Sequence, residues 1–544
     1  MWHESNADRG PNVNAGVYNG YFPERRKITW KPEIDELRSR EKLGRAMGGP
    51  EKIKRQHDGG KLTVRERVEG LLDPGSFHEI GTLAGKAEYD AEGRLAKFTP
   101  ANLVIGRGLI DGRRVVIAGD DFTVRGGAND GAIKEKLVMS EMMAHELKLP
   151  IVRLVDGTGG GGSVKNIEIV GHTLLPGGFD GRRWDFIVRN LETVPAVSLA
   201  LGSVAGLGAA RVAASHYSVM VKESSQMFVA GPPVVARTGR KMEKNELGGS
   251  HIHTRNGAVD DEAASEQEAF EKARRFLSYL PPSVEQLPPR GPVTDDPHRR
   301  DEWLLEAIPR NRRQVYPMRR IVETLVDQGS FFEMGRRWGR PIVTGFARLD
   351  GWPVAVIASD PHHYAGAWTA DASQKFMRHV DLAETFHLPV VHLVDIPGFL
   401  VGPEAEQTAT IRYGARAMTA LIRATIPWCS VLVRKVYGVA GSAHQNAGRY
   451  NLRYTWPSAE WGSLPVEGGL EAAYRGEIEA AADPAARHAE IERINRLRSP
   501  FRAAEAFVPE EIIDPRDTRR LLCDFADIAA PLRRTGYMRQ GFRP

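Results

Sequence analysis

Cysteine is scarce in this chain, and the scarcity excludes several classes at once. Only Cys429 and Cys523 occur among 544 residues, both in apolar runs. Two thiols so placed supply neither a disulfide framework nor the paired spacing of a zinc site. Also missing is any run of about 18 apolar residues, so no segment reads as a membrane-spanning helix. No charged N-terminal stretch leads into an apolar core, the pattern of a secretory leader. The compartment expected is therefore a reducing cytoplasm, or the mitochondrial matrix if the source is eukaryotic. The formal net charge of +5 is modest for this length. Basic residues crowd between Arg25 and Arg67, but acids are mixed among them, as in EKIKRQHDGGKLTVRER. That stretch reads as a solvated helical face, or else as a surface for an anionic ligand such as a nucleotide phosphate. No aromatic interleaving accompanies the charge, so nucleic acid is not an expected partner.

What the chain does have is the same strand–turn–helix unit twice. Pro195 leads the apolar run VSLAL into Gly202-Ser-Val-Ala-Gly-Leu-Gly-Ala-Ala210, and Pro427 leads WCSVLV into Arg434-Lys-Val-Tyr-Gly-Val-Ala-Gly-Ser442. The two prolines stand 232 positions apart, as do Gly206 and Gly438. An apolar run, a glycine turn and a small-residue helix present free N–H groups at the positive end of a helix dipole. Two such ends suit a reaction with two developing negative charges. The duplication reaches further: RVEGLLDPGSFHEIG at 67–81 recurs as IVETLVDQGSFFEMG at 321–335. Asp111 and Asp350, and likewise Asp156 and Asp395, are separated by 239 residues. Signals that recur in order at this period indicate duplicated domains, each with its own core.

Breakers and periodicity set the organisation. Residues 1–56 form an N-terminal extension, irregular to about 30 and helical after it. A first repeat spans 57–280 and a second 314–544. The Pro-, Asp- and Arg-rich stretch 281–313 reads as a linker. Strands alternating with helices, such as the amphipathic IKEKLVMSEMMAHELK that stops before Pro150, give an α/β fold. Near the C-terminus, DPAARHAEIERINRLRSPFRAAEAF reads as helix broken at Pro500.

Against this background the chain resembles the carboxyltransferase β subunit of biotin-dependent acyl-CoA carboxylases, the propionyl-CoA and methylcrotonyl-CoA type. The residues that carry the resemblance are GKLTVRERVEGLLDPGSFHE (60–79), DDFTVRGG (120–127), MFVAGPPVV (227–235), ELGGSHIHT (246–254), VDIPGFLVG (394–402), RKVYG (434–438), TWPSAE (455–460) and VPEEIIDPRDTR (508–519). They span nearly the whole chain in order. The resemblance implies two tandem crotonase-like ββα-superhelix domains sharing a bipartite site, in a ring-shaped hexamer. Acyl-CoA is expected on the N-terminal half, with biotin entering against the C-terminal half of a neighbour. The Gly206-Leu207 turn would stabilise the thioester enolate through backbone N–H, and Gly438-Val439 would hold the ureido oxygen of biotin. Gly159, Gly160, Ser203, Ala205, Ala440 and Ser442 would line the substrate. Such chemistry needs no side-chain base, in keeping with the absence of a Ser/His/Asp or paired-carboxylate constellation.

The departures from the family pattern are informative. Both turns usually read Gly-Gly; here Leu207 and Val439 follow the glycine. The donors survive that change, but a left-handed φ at either residue would cost roughly 1–2 kcal/mol. Asp156-Gly-Thr-Gly-Gly-Gly-Gly-Ser163 stands where Ser-Gly-Gly-Ala-Arg usually follows the Asp. It lacks the GK[ST] of a phosphate loop and reads as a loop lining the acyl site, or else as a surface loop without ligand. Ala440-Gly441-Ser442 replaces Ala-Tyr-Asp and suggests a roomier or more polar pocket. Near Glu460, Ser463-Leu464-Pro465 replaces Met-Gly. His362 and His363 have no ligand partner at metal spacing, His251 and His253 read as packing, and no metal is expected. Arg434 and Lys435 read either as an attractor for a carboxyl group or as surface charge. The chain has no biotinylation Ala-Met-Lys-Met and no ATP-grasp-like glycine loop, so a separate biotin carboxylase/carrier subunit is the implied partner. A transcarboxylase or decarboxylase component, or a weakened scaffold subunit, is the alternative.

Overall fold

The Val-, Ile- and Leu-rich runs become strands buried on both faces, as a parallel sheet covered by helices requires. The computed structural model describes residues 29–128, 133–157, 182–463, 499–539 and 541–544, with isolated positions between 168 and 172 and between 476 and 493. In the first half the sheet order is His78–Ile80, Leu103–Ile110, Arg113–Asp120, Ile151–Val155, Ala196–Ala200, Tyr217–Val221 and Asp261–Ala263. The second half runs Phe332–Met334, Ile342–Leu349, Trp352–Ser359, Val390–Ile396, Trp428–Tyr437 and Leu452–Thr455, with Glu460–Gly462 paired to the end of Trp428–Tyr437. In each sheet the first two pairings are antiparallel and the remainder parallel. The helix expected before Pro150 covers Lys134–Leu147, and Lys148 ends it in a left-handed conformation.

The duplication holds to single hydrogen bonds. Asp111-Gly112 and Asp350-Gly351 each form the two-residue turn of an antiparallel hairpin, with φ of 49° and 75° in the first copy and 49° and 78° in the second. Asp-Gly is the pair such turns favour. The Asp73 carboxylate accepts both turn N–H groups at 3.0 and 2.8 Å; Asp327 does the same at 3.0 and 2.8 Å. Asp73 and Asp327 are 254 positions apart, whereas the turns they hold are 239 apart. A hairpin present only in the first copy, Gly85–Tyr89 with Leu95–Pro100, lies between the two markers and accounts for the shift.

The two halves share one core. Tyr217 stacks on Phe276 (ring centroids 4.9 Å apart) and meets Phe332 of the second half edge-on at 5.4 Å. Arg378 donates to Asp260 at 2.7 Å, and Arg348 to the Ser278 carbonyl at 2.8 Å. Residues 281–313 contain one short helical turn, Glu302–Leu305, in otherwise irregular chain. They are nonetheless tied down: Val284 N–H donates to Thr193 O, Gly291 N–H to Gly351 O, and Leu304 and Ala307 enter the second-half core. Pro500 opens a helix, Pro500–Glu505, taking the first helical position where its missing N–H costs nothing. Most residues upstream of it lie outside the described set. Among the described residues no helix is long and apolar enough to cross a membrane.

His392 is buried between Phe376 and Trp428, each 5.9 Å away, and among the described residues its Nδ1 has no partner. Burial pushes this imidazole down to about 3. A folded value below the unfolded one near 6.5 removes stability as pH falls through the window between them. His392→Phe should therefore leave stability at pH 7.5 nearly unchanged. At pH 5 it should hold about 2 kcal/mol that the wild type loses. Urea midpoints at both pH values read this directly, and equal acid losses in the two proteins would refute it.

Candidate active site: two glycine turns at equivalent strand ends

The first turn is built by a change of sheet. Strand Ala196–Ala200 is followed by Leu201 and Gly202, and the three residues after them, Ser203–Ala205, pair in parallel with Gln226–Phe228. Gly206 N–H donates to Phe228 O at 3.1 Å, and Gly206 then turns with φ 57° and ψ −121°, a combination closed to residues with a side chain. Leu207 follows as the first residue of the helix Leu207–Ala213. The earliest intrahelical bond is Ala210 N–H to Gly206 O, so the preceding N–H groups have no acceptor within the helix. In the second half, strand Trp428–Tyr437 passes directly into Gly438 (φ 61°) and the short helix Gly438–Gly441.

The left-handed conformation thus falls on Gly206 and Gly438, which are glycine, while Leu207 and Val439 take helical positions. The strain that would attend a side chain at positive φ is not incurred. Both side chains stand in the open, Leu207 at 42% and Val439 at 59% exposure.

Under each turn sits an aspartate at the end of the neighbouring strand. Asp156 is fully buried and accepts from Gln56 Nε2 (3.2 Å), Lys61 Nζ (3.1 Å) and Arg67 Nη1 (2.8 Å). Arg67 also donates to Glu266 through Nε and Nη2 (2.7 and 2.8 Å) and to Leu201 O (2.9 Å), the residue that feeds the turn. These two carboxylates hold the Arg67 guanidinium well above its ordinary range despite burial. A Cβ on Gly202 would lie 1.9 Å from Asp156 Oδ1, so only glycine lets the strand pass. In the second half Asp395 accepts from Tyr316 Oη (2.8 Å), Arg434 Nη2 (3.0 Å) and Lys435 N–H (3.0 Å). The arginine has changed element between the copies. At the 232-residue spacing Gly202 corresponds to Arg434, and at the 254-residue spacing Arg67 corresponds to the core residue Ile321.

Two duplicated domains that end in paired, glycine-based N–H turns are now in view, and comparison with known proteins agrees with them. Residues 55–541 match the carboxyl transferase domain family. The chain belongs to that family. It is 34% identical over 509 residues to the carboxyltransferase subunit of propionyl-CoA carboxylase from Haloferax mediterranei, covering 91% of this chain and 96% of that one. It is also 34% identical over 497 residues to the propionyl-CoA carboxylase beta chain of Roseobacter denitrificans, covering 90% and 95%. Among solved structures, transcarboxylase 12S superposes with a TM-score of 0.83 at 29% identity, over 95% of this chain and 99% of that one. The fold is thus a pair of crotonase-like domains, and the protein is a carboxyltransferase of the propionyl-CoA carboxylase type, a biotin-dependent enzyme.

Around the turns of this carboxyltransferase the expected lining residues fall into distinct environments. Ser203 Oγ donates to Gln226 Oε1 at 2.7 Å, and Ser442 Oγ to Val439 O at 2.6 Å, so each hydroxyl proton is already engaged. Ala205 is paired in register with Phe228 beside Gly206. Ala440 is fully buried, its methyl part of the core beneath the turn. Gly159, Gly160, Leu464 and Pro465 lie outside the described residues. Arg434 is neither surface charge nor a free attractor: it is 4% exposed and spent on Asp395.

His253 Nε2 is 2.7 Å from Met227 O, a packing role. His362 and His363 flank Asp360, whose carboxylate is also paired with Arg319. Among the described residues no group of three or more His, Cys, Asp and Glu is placed to hold a metal. A cavity of about 590 Å³ lined by Trp428, Arg449, Leu452 and Arg533 lies at the opposite end of the Trp428–Tyr437 strand. Ten residues of strand put it about 30 Å from Gly438.

Proposed function

We propose that this carboxyltransferase moves a carboxyl group from carboxybiotin, borne by a separate biotin carboxylase/carrier subunit, to the α or vinylogous carbon of an acyl-CoA. The observation that supports this reading best is the duplicated turn. In each copy the positive φ falls on a glycine, and the residue that follows, Leu207 or Val439, is exposed and lies in the first helical turn, where an N–H has no intrahelical acceptor. Donors fixed in this way stabilise charge that develops in the transition state without reorganising.

In the first half, the Leu207 N–H would be aimed at the thioester oxygen as it gains enolate character, with Asp156, Arg67 and Leu201 fixing the chain beneath it. In the second half, the surroundings of Gly438 suit the ureido oxygen of biotin. The nearest atom to an added Cβ there is Ser463 O at 3.4 Å, and Val439 is open to solvent. Biotin, when bound, supplies the carboxyl group and the site that takes up the acyl α-proton. The chain's own contribution is to hold both partners and to exclude water between them. Ser203, Ala205 and Ser442 shape the walls around the two turns, and Ala440 supports the second turn from the core beneath it. Gly159 and Gly160 complete the acyl side in this reading, and the working assembly is a hexameric ring. The transcarboxylase 12S neighbour is described as a hexamer.

The test runs the reaction backwards. Purified protein is incubated with a panel of carboxylated acyl-CoAs, with and without a soluble biotin analogue, and decarboxylated acyl-CoA is measured. Product that depends on the biotin analogue is the expected result and names the acyl class. Product that forms equally without it would replace this reading with an acyl-CoA decarboxylase.

A further inference from the structure

One excursion of the chain is hinged at both ends on the strand that holds the acyl-side turn. It leaves at Phe228, whose carbonyl accepts the Gly206 N–H, and returns at Gly249, which bridges back to Gln226. On the return, Asn245 Oδ1 accepts from Gln226 Nε2 at 2.8 Å, and Lys244 Nζ reaches Ser203 Oγ at 3.4 Å. Between the hinges stand Arg237, Arg240, Lys241 and Lys244, all exposed.

Among the described residues none of these four cations has a carboxylate partner. The nearby acids are already engaged. Glu243 and Glu246 cap the helix Lys244–Gly248 reciprocally, and Glu223 accepts from Asn245 Nδ2 at 3.1 Å. Apolar side chains lie open on the same segment: Val229, which follows the residue bonded to Gly206, is 96% exposed, and Val234 is exposed as well. Cations and open apolar side chains on one segment, tied by Lys244 to Ser203 just before the glycine turn, suit a ligand with an apolar body and an anionic extremity.

We infer that the segment Arg237–Lys244 holds an anionic group of the acyl-CoA substrate, either the phosphates of the CoA nucleotide or a second carboxylate at the far end of the acyl chain. The inference rests on the proposed function for the position of the thioester at Gly206-Leu207. Its chemistry is that of guanidinium and ammonium groups on oxyanions, and it acts on binding rather than on the reacting atoms.

The test is an equilibrium titration of the full-length protein and its R240S/K241S variant. Both side chains are exposed and, among the described residues, neither has a hydrogen-bond or ion-pair partner, so the variant should fold as the wild type does. Three probes are used: an acyl-CoA, the same acyl group as its pantetheine thioester, and a CoA thioester of a dicarboxylic acid. If the phosphates are held, the variant's affinity for the acyl-CoA falls about tenfold and the preference over the pantetheine thioester shrinks equally. If the second carboxylate is held, the preference for the dicarboxylic thioester shrinks instead. In either case added salt should weaken wild-type binding more than variant binding, and KM should rise while kcat holds. Both preferences unchanged would overturn the inference. Because binding is read without turnover, failure of carboxyl transfer itself is a separate outcome that bears on the proposed function alone.

Discussion

Replacing Arg67 by methionine should lower stability by about 3–5 kcal/mol, the largest loss expected from any single side chain near the site. Arg67 is buried between two buried carboxylates, and its planar fork satisfies Glu266 with two parallel bonds while Nη1 reaches Asp156. Methionine fills much of the volume but, among the described residues, leaves Glu266 with only the Leu62 N–H at 3.3 Å. Asp156 keeps Gln56 and Lys61. An uncompensated charge in a site of this kind costs more than the intact pair ever contributed. Arg67→Lys restores one charge but not the fork, so it should fall between the two. Arg434→Met gives an internal comparison, because Asp395 would retain the Tyr316 hydroxyl and the Lys435 N–H. The denaturation midpoint should therefore drop further for Arg67→Met than for Arg434→Met. A loss under about 1 kcal/mol at Arg67 would show that the cluster does not hold the first-half site together.

Much of this arrangement was legible in the linear sequence because its markers are local. Asp111-Gly112 and Asp350-Gly351 announce hairpin turns by composition alone, and Gly206 and Gly438 sit at a fixed interval behind fully apolar strands. The turn glycines were identifiable for a physical reason: no other residue accepts their backbone angles. What escaped was whatever depends on distant residues meeting. Asp156 is joined by Gln56, Lys61 and Arg67 from about ninety to one hundred positions earlier, and Arg67 is joined by Glu266 from about two hundred later. No spacing rule connects such residues. The one available signal was that Arg67 shares a helical face with Val64, Val68 and Leu71 in the charged segment VRERVEGL.

Side-chain direction was equally hidden. Ser203, Ala440 and Ser442 lie close to the turns in sequence, yet the two hydroxyls bond back to their own chain and the alanine packs in the core. The segment 281–313 looked like a spacer because Pro and charge dominate it, but Leu304 and Ala307 anchor it in the second core. The cations at 237–244 are hidden in the sequence for a related reason. A basic run in sequence looks like solvated surface until its acids are seen to be occupied elsewhere.

The sharpest test of the chemistry is Leu207→Pro, which should lower kcat about 10²- to 10³-fold while leaving the fold intact. Leu207 is the first residue of its helix, the one position where proline is well accommodated because the N–H there bonds to nothing within the helix. Proline also supplies the φ near −65° that this position needs, and the strained conformation stays on Gly206. The substitution therefore deletes one donor and little else. Losing an oxyanion-hole donor costs about 2.7–4 kcal/mol of transition-state stabilisation, which sets the expected fall in rate. Leu207→Ala is the matched control: it removes the exposed side chain, keeps the N–H, and should retain most of kcat. KM should change little in Leu207→Pro, because the bond to the oxygen strengthens only as charge develops. Rates of Leu207→Pro and Leu207→Ala that agree within a few-fold would mean the Leu207 N–H does not face the reacting oxygen. In that event the charge must be held by N–H groups further into the helix, at Gly208 or Ala209.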